Sequence, residues 1–108
     1  MLVLSRQQGE ALVVGKWTIT VLSIQRSQAS LRIDHNSGLE SWTADLMQAS
    51  PLHIGTTVEL HLVTVPDESK VRIGIVTPLT VSVHRLEVWR AIQQSKGGLN
   101  ELDDSGQW

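Results

Sequence analysis

A chain of 108 residues has room for one small domain, or for two very small units that share a core. Cysteine is absent, which excludes disulfides, thiol catalysis and cysteine-ligated metal; the hydrophobic share of 41% argues against disorder over most of the chain, and no apolar run approaches the ~20 residues of a membrane span. The formal charge is −2, but Glu101, Asp103 and Asp104 lie at the C-terminal end, and residues 1–96 carry nine Lys and Arg against eight Asp and Glu, so the body is about neutral.

The elements read mostly as strands. "MLVLSR" alternates and enters a strand pattern directly, with no leader of signal-peptide type, which suits a cytoplasmic protein. "ALVVG" is a short run stopped by Gly15. "WTITVLSI" alternates and is rich in β-branched residues, and "ASLRIDH" follows a polar turn. Residues 36–50 are ambiguous. Leu39, Trp42, Leu46 and Met47 can line one face of a helix, while "LESWT" reads equally as a short strand. "LHIG", "TTVELHLVTV", "KVRIGIVT" and "TVSVHR" then resume the strand style, with Pro66-Asp67 starting a turn. A helix is expected from Leu86 to about Ser95. Leu86, Trp89 and Ile92–Gln93 fall on one face, and Gly97-Gly98 stops it. Residues 97–108 read as a flexible acidic tail.

The middle of the chain is written almost twice. At an offset of 40, Leu12 meets Leu52, Val14 meets Ile54, Gly15 meets Gly55, Arg32 meets Arg72 and Ile33 meets Ile73. The alternation slips between these blocks, where Ile19 and Val21 answer Leu60 and Leu62; one insertion and one deletion would account for it. Short alternating strands recur in unrelated meanders, so the repeat alone does not decide the architecture.

The two ends say more. "MLVLSRQQGEALVVG" and "VRIGIVTPLTVSVHRLEVWRAIQ" resemble the carbon storage regulator (Csr/Rsm) family of small RNA-binding translational regulators. The motif residues are Met1-Leu2, Leu4-Ser5-Arg6 and Gly9-Glu10 at one end, and Arg72-Ile73-Gly74, Thr77-Pro78, Val81, Val83, His84-Arg85, Glu87 and Trp89 at the other. The resemblance covers residues 1–35 and 51–95. It implies a mainly β fold, an intertwined β-sandwich of two meanders with a C-terminal helix. Family members are interlocked homodimers, and each RNA site joins the first strand of one subunit to the fifth strand of the other.

This chain is longer than a usual member. Residues 1–35 resemble strands one to four, residues 36–50 a linker, and residues 51–95 strands two to five with the helix. The resemblance therefore implies one pseudo-dimeric domain over residues 1–96 with one RNA site kept and the other erased. The linker does not restore the missing motif, because Leu46 stands where Arg6 would repeat. Residues 1–7 and 81–85 are expected to be neighbouring strands. A closed monomer is expected, with a domain-swapped homodimer as the other arrangement of the same strand pairs.

The expected RNA site comprises Leu4, Ser5, Arg6, Thr77, Pro78, Leu79, Val81, Val83, His84 and Arg85, with auxiliary contacts from Gln7 and Arg72. Arginines supply charge for phosphates, and strand backbone and the Thr77–Leu79 loop supply groups for base edges. The resemblance implies a partner of single-stranded or hairpin-loop RNA, such as an mRNA leader or a small regulatory RNA, with a GGA element in the loop. Three departures bear on this site. Gln7 replaces a second basic residue, Thr77 replaces the usual alanine, and Leu86 replaces one of two acids after His-Arg. His35, His53 and His61 have no metal-ligand spacing, no catalytic constellation is visible, and neither metal nor cofactor is expected. Trp17 and Trp89 are expected in the core. The other reading is a degenerate relative acting as a protein-interaction module or a modulator of another regulator.

Overall fold

The computed structural model describes residues 1–67 and 69–99. Among them, nine strands precede one helix: β1 (Leu2–Gln7), β2 (Ala11–Val14), β3 (Trp17–Gln25), β4 (Gln28–His35), β5 (Ser41–Met47), β6 (Leu52–Ile54), β7 (Val58–Asp67), β8 (Lys70–Val76), β9 (Val83–Arg85) and α1 (Leu86–Leu99). They build a mainly β fold of two antiparallel sheets, one ordered β1-β8-β7-β6 and the other β5-β4-β3-β2-β9.

Alternation explains the packing. Leu12, Val14, Ile19, Val21, Leu31, Ile33 and Leu46 from the second sheet meet Ile54, Leu60, Leu62, Val71, Ile73 and Ile75 from the first in one buried cluster. Each apolar residue sits two places from the next, so a strand presents all of them to one face. Burying a side chain of this size contributes roughly 1.5–3 kcal/mol. The shared cluster therefore holds the sheets together. Ala11 and Val13 are buried as well, on the other face of β2, where α1 packs.

The repeat is visible in the registers. Leu12 pairs with Ile19 as Leu52 pairs with Leu60. A β-bulge follows Val21 in one hairpin and Leu62 in the other, and these residues pair with Leu31 and Ile73. The matching bulges make Leu31 the counterpart of Ile73, so Arg32 answers Gly74 and not Arg72. The offset grows by one residue in the β2–β3 turn and by one again between β3 and β4. Two insertions in the second repeat, not an insertion and a deletion, explain the slip.

Three other expectations change. Residues 41–47 form a strand. β5 pairs with β4 through Ser41 to Met47 as β1 pairs with β8, and Leu46 occupies the inner-face position that Arg6 occupies in β1. Only pairing with β4 decides strand over helix here, because the apolar positions 39, 42, 46 and 47 fit either period. The helix runs to Leu99 through Gly97 and Gly98; a glycine costs only about 1 kcal/mol in a helix, so two of them do not dictate a stop. Pro66 and Asp67 are the last residues of β7, not the start of a turn. The rest of the expected acidic tail, residues 100–108 with Trp108, lies outside the described residues.

Candidate nucleic-acid interface

The two motif ends come to one side of the molecule by different routes. β1 is an edge strand of the first sheet and pairs with β8; β9 is an edge strand of the second sheet and pairs with β2. Residues 1–7 and 81–85 are therefore not hydrogen-bonded neighbours. They are joined instead through Arg6. Its register opposite Val71 turns it inward, and it is 4% exposed. Its Nη1 donates to the Ala11 carbonyl at 2.9 Å and to Glu87 Oε1 at 3.0 Å, and its Nη2 donates to Glu87 Oε2 at 3.1 Å. Nε donates to the Ser5 carbonyl at 2.9 Å. A guanidinium has five N–H groups in a fixed fork, and four of these are engaged. Arg6 thus ties β1 to β2 and to the first turn of α1, which directly follows β9. The Arg6 guanidinium, with the Glu87 backbone N–H, pulls the Glu87 carboxyl down from 4.5 to about 2.

Arg85 is the opposite case. It ends β9 across from Leu12, its side chain is exposed, and among the described residues no carboxylate pairs with it. His84 is half-buried across from Val13. Val81 and Val83 are half-buried and pack against the core cluster, as does Leu4 across from Ile73. Ser5 lies across from Arg72, and both face away from the core. Arg72 is exposed and has no ion-pair partner among the described residues. Gln7 is exposed, and its backbone N–H donates to Glu10 Oε1 at 2.8 Å.

The loop before β9 is shaped for contact. Leu79 is fully exposed and Pro78 exposed, and a turn is closed by Val81 N–H donating to the Pro78 carbonyl at 2.9 Å. Thr77 keeps a buried hydroxyl with no hydrogen-bond partner among the described residues. A second turn holds this loop from below. Gly15, at φ +58, donates its N–H to the Ser82 carbonyl at 2.8 Å, and a Cβ there would stand 3.1 Å from Val81 Cγ1. Glycine is needed for both the positive φ and the close approach.

Two aromatic expectations are revised. Trp17 is half-buried, edge-on to His35 at 4.8 Å and to Trp42 at 5.5 Å, and it walls an open groove of about 360 Å³ shared with Lys16, His35 and Val81. Trp89 is half-buried with Leu86 and Ile92, while Gln93 is exposed. Trp17 thus packs against the core cluster from its rim, and Trp89 is not part of that cluster. The sequence reading missed the bond between Arg6 and Glu87, residues 81 positions apart that no periodicity connects.

Two antiparallel sheets around one core, with Arg85 exposed at the end of edge strand β9, define a small β-sandwich protein. Residues 48–94 match the family described as CsrA: Global regulator protein family, and this match supports a carbon storage regulator family member. The match carries the coarse role of that family, RNA-binding post-transcriptional regulation. No curated protein and no solved structure matches the chain. No described helix is long and apolar enough to cross a membrane.

Proposed function

We propose that the chain recognises a GGA element in an RNA hairpin loop through one composite site, and by occluding a leader controls its translation. The observation that carries this reading is the Arg6–Glu87 tie, which fastens the first strand to the helix directly after β9. Both motif ends then flank one edge. Arg85 supplies the free cation for a phosphate. Leu4, Val81 and Val83 supply apolar contact, and Ser5, His84 and the Thr77, Pro78 and Leu79 loop supply groups toward base edges. Gln7 and Arg72 are auxiliary. Arg6 acts here by positioning, since its donors are engaged inside the protein.

Residues 1–96 are proposed to be one pseudo-dimeric unit working as a closed monomer in the cytoplasm, with residues 1–35 and 51–95 as its two repeats. One site per unit is the consequence. At the other edge, β5 takes the place of a first strand but carries Leu46 where Arg6 would be, and β6 has no fifth strand beside it among the described residues. A gel shift with a GGA hairpin beside a GGA-scrambled control tests the reading. Selective retention of the GGA hairpin supports it, and equal retention of both, or of neither, overturns it.

A further inference from the structure

The Glu87 carboxylate lies in the field of two arginines and is bonded to one. Arg6 takes both of its oxygens, Oε1 at 3.0 Å and Oε2 at 3.1 Å. Arg85, two residues earlier in the chain, is exposed and forms no ion pair among the described residues. Its charge is nevertheless felt. The Glu87 carboxyl is held at about 2 first by the Arg6 hydrogen bond, then by its own backbone N–H, and in smaller part by the charge of Arg85. Arg90, three residues after Glu87 in α1, is exposed and also without an ion pair among the described residues.

Burial decides which arginine holds the carboxylate. The Arg6 side chain is 5% exposed and that of Glu87 59%. Around a buried guanidinium an opposite charge is less screened, and the fork meets the carboxylate with two bonds at once. Arg85 stands in water, where a pair is screened and must immobilise a long side chain. Arg6 in turn is costly to leave buried without a carboxylate. Glu10 is the weaker candidate for that place, because its Oε1 lies 3.8 Å from Arg6 Nε and already accepts the Gln7 N–H at 2.8 Å. Two cations and one anion leave one positive charge, and all of it sits on Arg85. With Arg6 neutral, Glu87 and Arg85 would be left to cancel each other.

We propose that Arg6 is a positioning residue that keeps the Glu87 carboxylate off Arg85, so that the exposed cation beside it stays free for a phosphate. The purpose of this arrangement rests on the RNA reading, while the choice of partner by Glu87 is a property of the free protein. Arg6 then governs RNA affinity without touching RNA, by occupying the acid that would neutralise the residue that does.

NMR titration of the RNA-free full chain reads the exchange of partners directly. Arg85→Gln should raise the Glu87 midpoint slightly in the native chain and clearly more in Arg6→Gln, where Arg85 is the partner left to it. With RNA, Arg6→Gln should weaken GGA-hairpin binding about 2–5-fold, the strength of an exposed ion pair. The salt slope should fall with it, by up to about 0.7. Adding Glu87→Gln to Arg6→Gln should restore both affinity and slope, a recovery that a role in the fold alone does not give. If Arg6→Gln does not fold, Arg6→Lys, which keeps a charge but loses the two-pronged grip, gives the same comparisons in smaller measure. Equal effects of Arg85→Gln in both backgrounds, a Glu87 midpoint that answers to Arg90→Gln instead, or no recovery in the double variant overturns the proposal. A native chain without preference for the GGA hairpin overturns the RNA reading, and the titration still decides which arginine Glu87 holds.

Discussion

Arg6 and Arg85 have the same side chain and opposite circumstances. Arg85 is exposed at the end of β9 and free of ion pairs among the described residues. A charge-assisted hydrogen bond contributes roughly 1.5–3 kcal/mol, so Arg85→Ala is expected to weaken GGA-hairpin binding at least tenfold with the thermal transition unchanged. Removing one cation from a single-strand phosphate should also lower the salt slope by about 0.7, read from binding at several salt concentrations. Arg6→Ala should act first on the fold. It leaves the Ala11 carbonyl unpaired, which costs roughly 1–3 kcal/mol, and urea denaturation should show it. The pH dependence follows from Glu87, whose carboxyl is held at about 2 by Arg6. A depressed folded pKa means that the contribution of the tie is complete above about pH 4.5 and fades as pH falls toward 2. NMR titration should place the Glu87 midpoint near 2 in the native chain and move it upward in Arg6→Gln; an unmoved midpoint would rule out Arg6 as the cause.

β5 is the element that closes the sandwich opposite β1. Leu46 is fully buried in the core cluster, across from Ala29. Leu46→Ala removes apolar packing and leaves a cavity, with an expected cost of roughly 2–5 kcal/mol in urea denaturation. A linker without a packing role would show a change near zero. The element is legible in the sequence only in part. Leu39, Trp42, Leu46 and Met47 satisfy a helical period, and Trp42, Ala44 and Leu46 satisfy a strand period. The edge of β4 selects the second by offering it hydrogen bonds and a core to fill. The other strands are clear because their alternation has one solution. Helix α1 is clear at its start and not at its end, where only a modest glycine penalty opposes continuation.

At the scale of the molecule, all strand pairs that build both sheets lie within one chain. RNA-free protein is expected to scatter light with a mass near 11.9 kDa. A concentration-independent species of twice that mass would mean that the repeats pair between chains. Titration calorimetry should give one GGA hairpin per unit. Two equivalent hairpins would show that the edge formed by β5 and β6 also reads RNA, despite Leu46 and the missing strand.

The sequence by itself determined the mainly β class, eight of the strands, the helix start, the repeat and the family resemblance, because alternation, turn residues and end motifs are local properties of the chain. It also marked Leu46 as the residue facing the place of a second Arg6. The tertiary structure decided the rest. It put β1 and β9 in different sheets, turned Arg6 inward onto Ala11 and Glu87, left Arg85 outside, made residues 41–47 a strand, and left β6 with no strand on its outer side among the described residues. Each of these depends on which distant strand supplies hydrogen bonds and buried area. Such partners are set by the closing of the whole core and are written in no single stretch of residues.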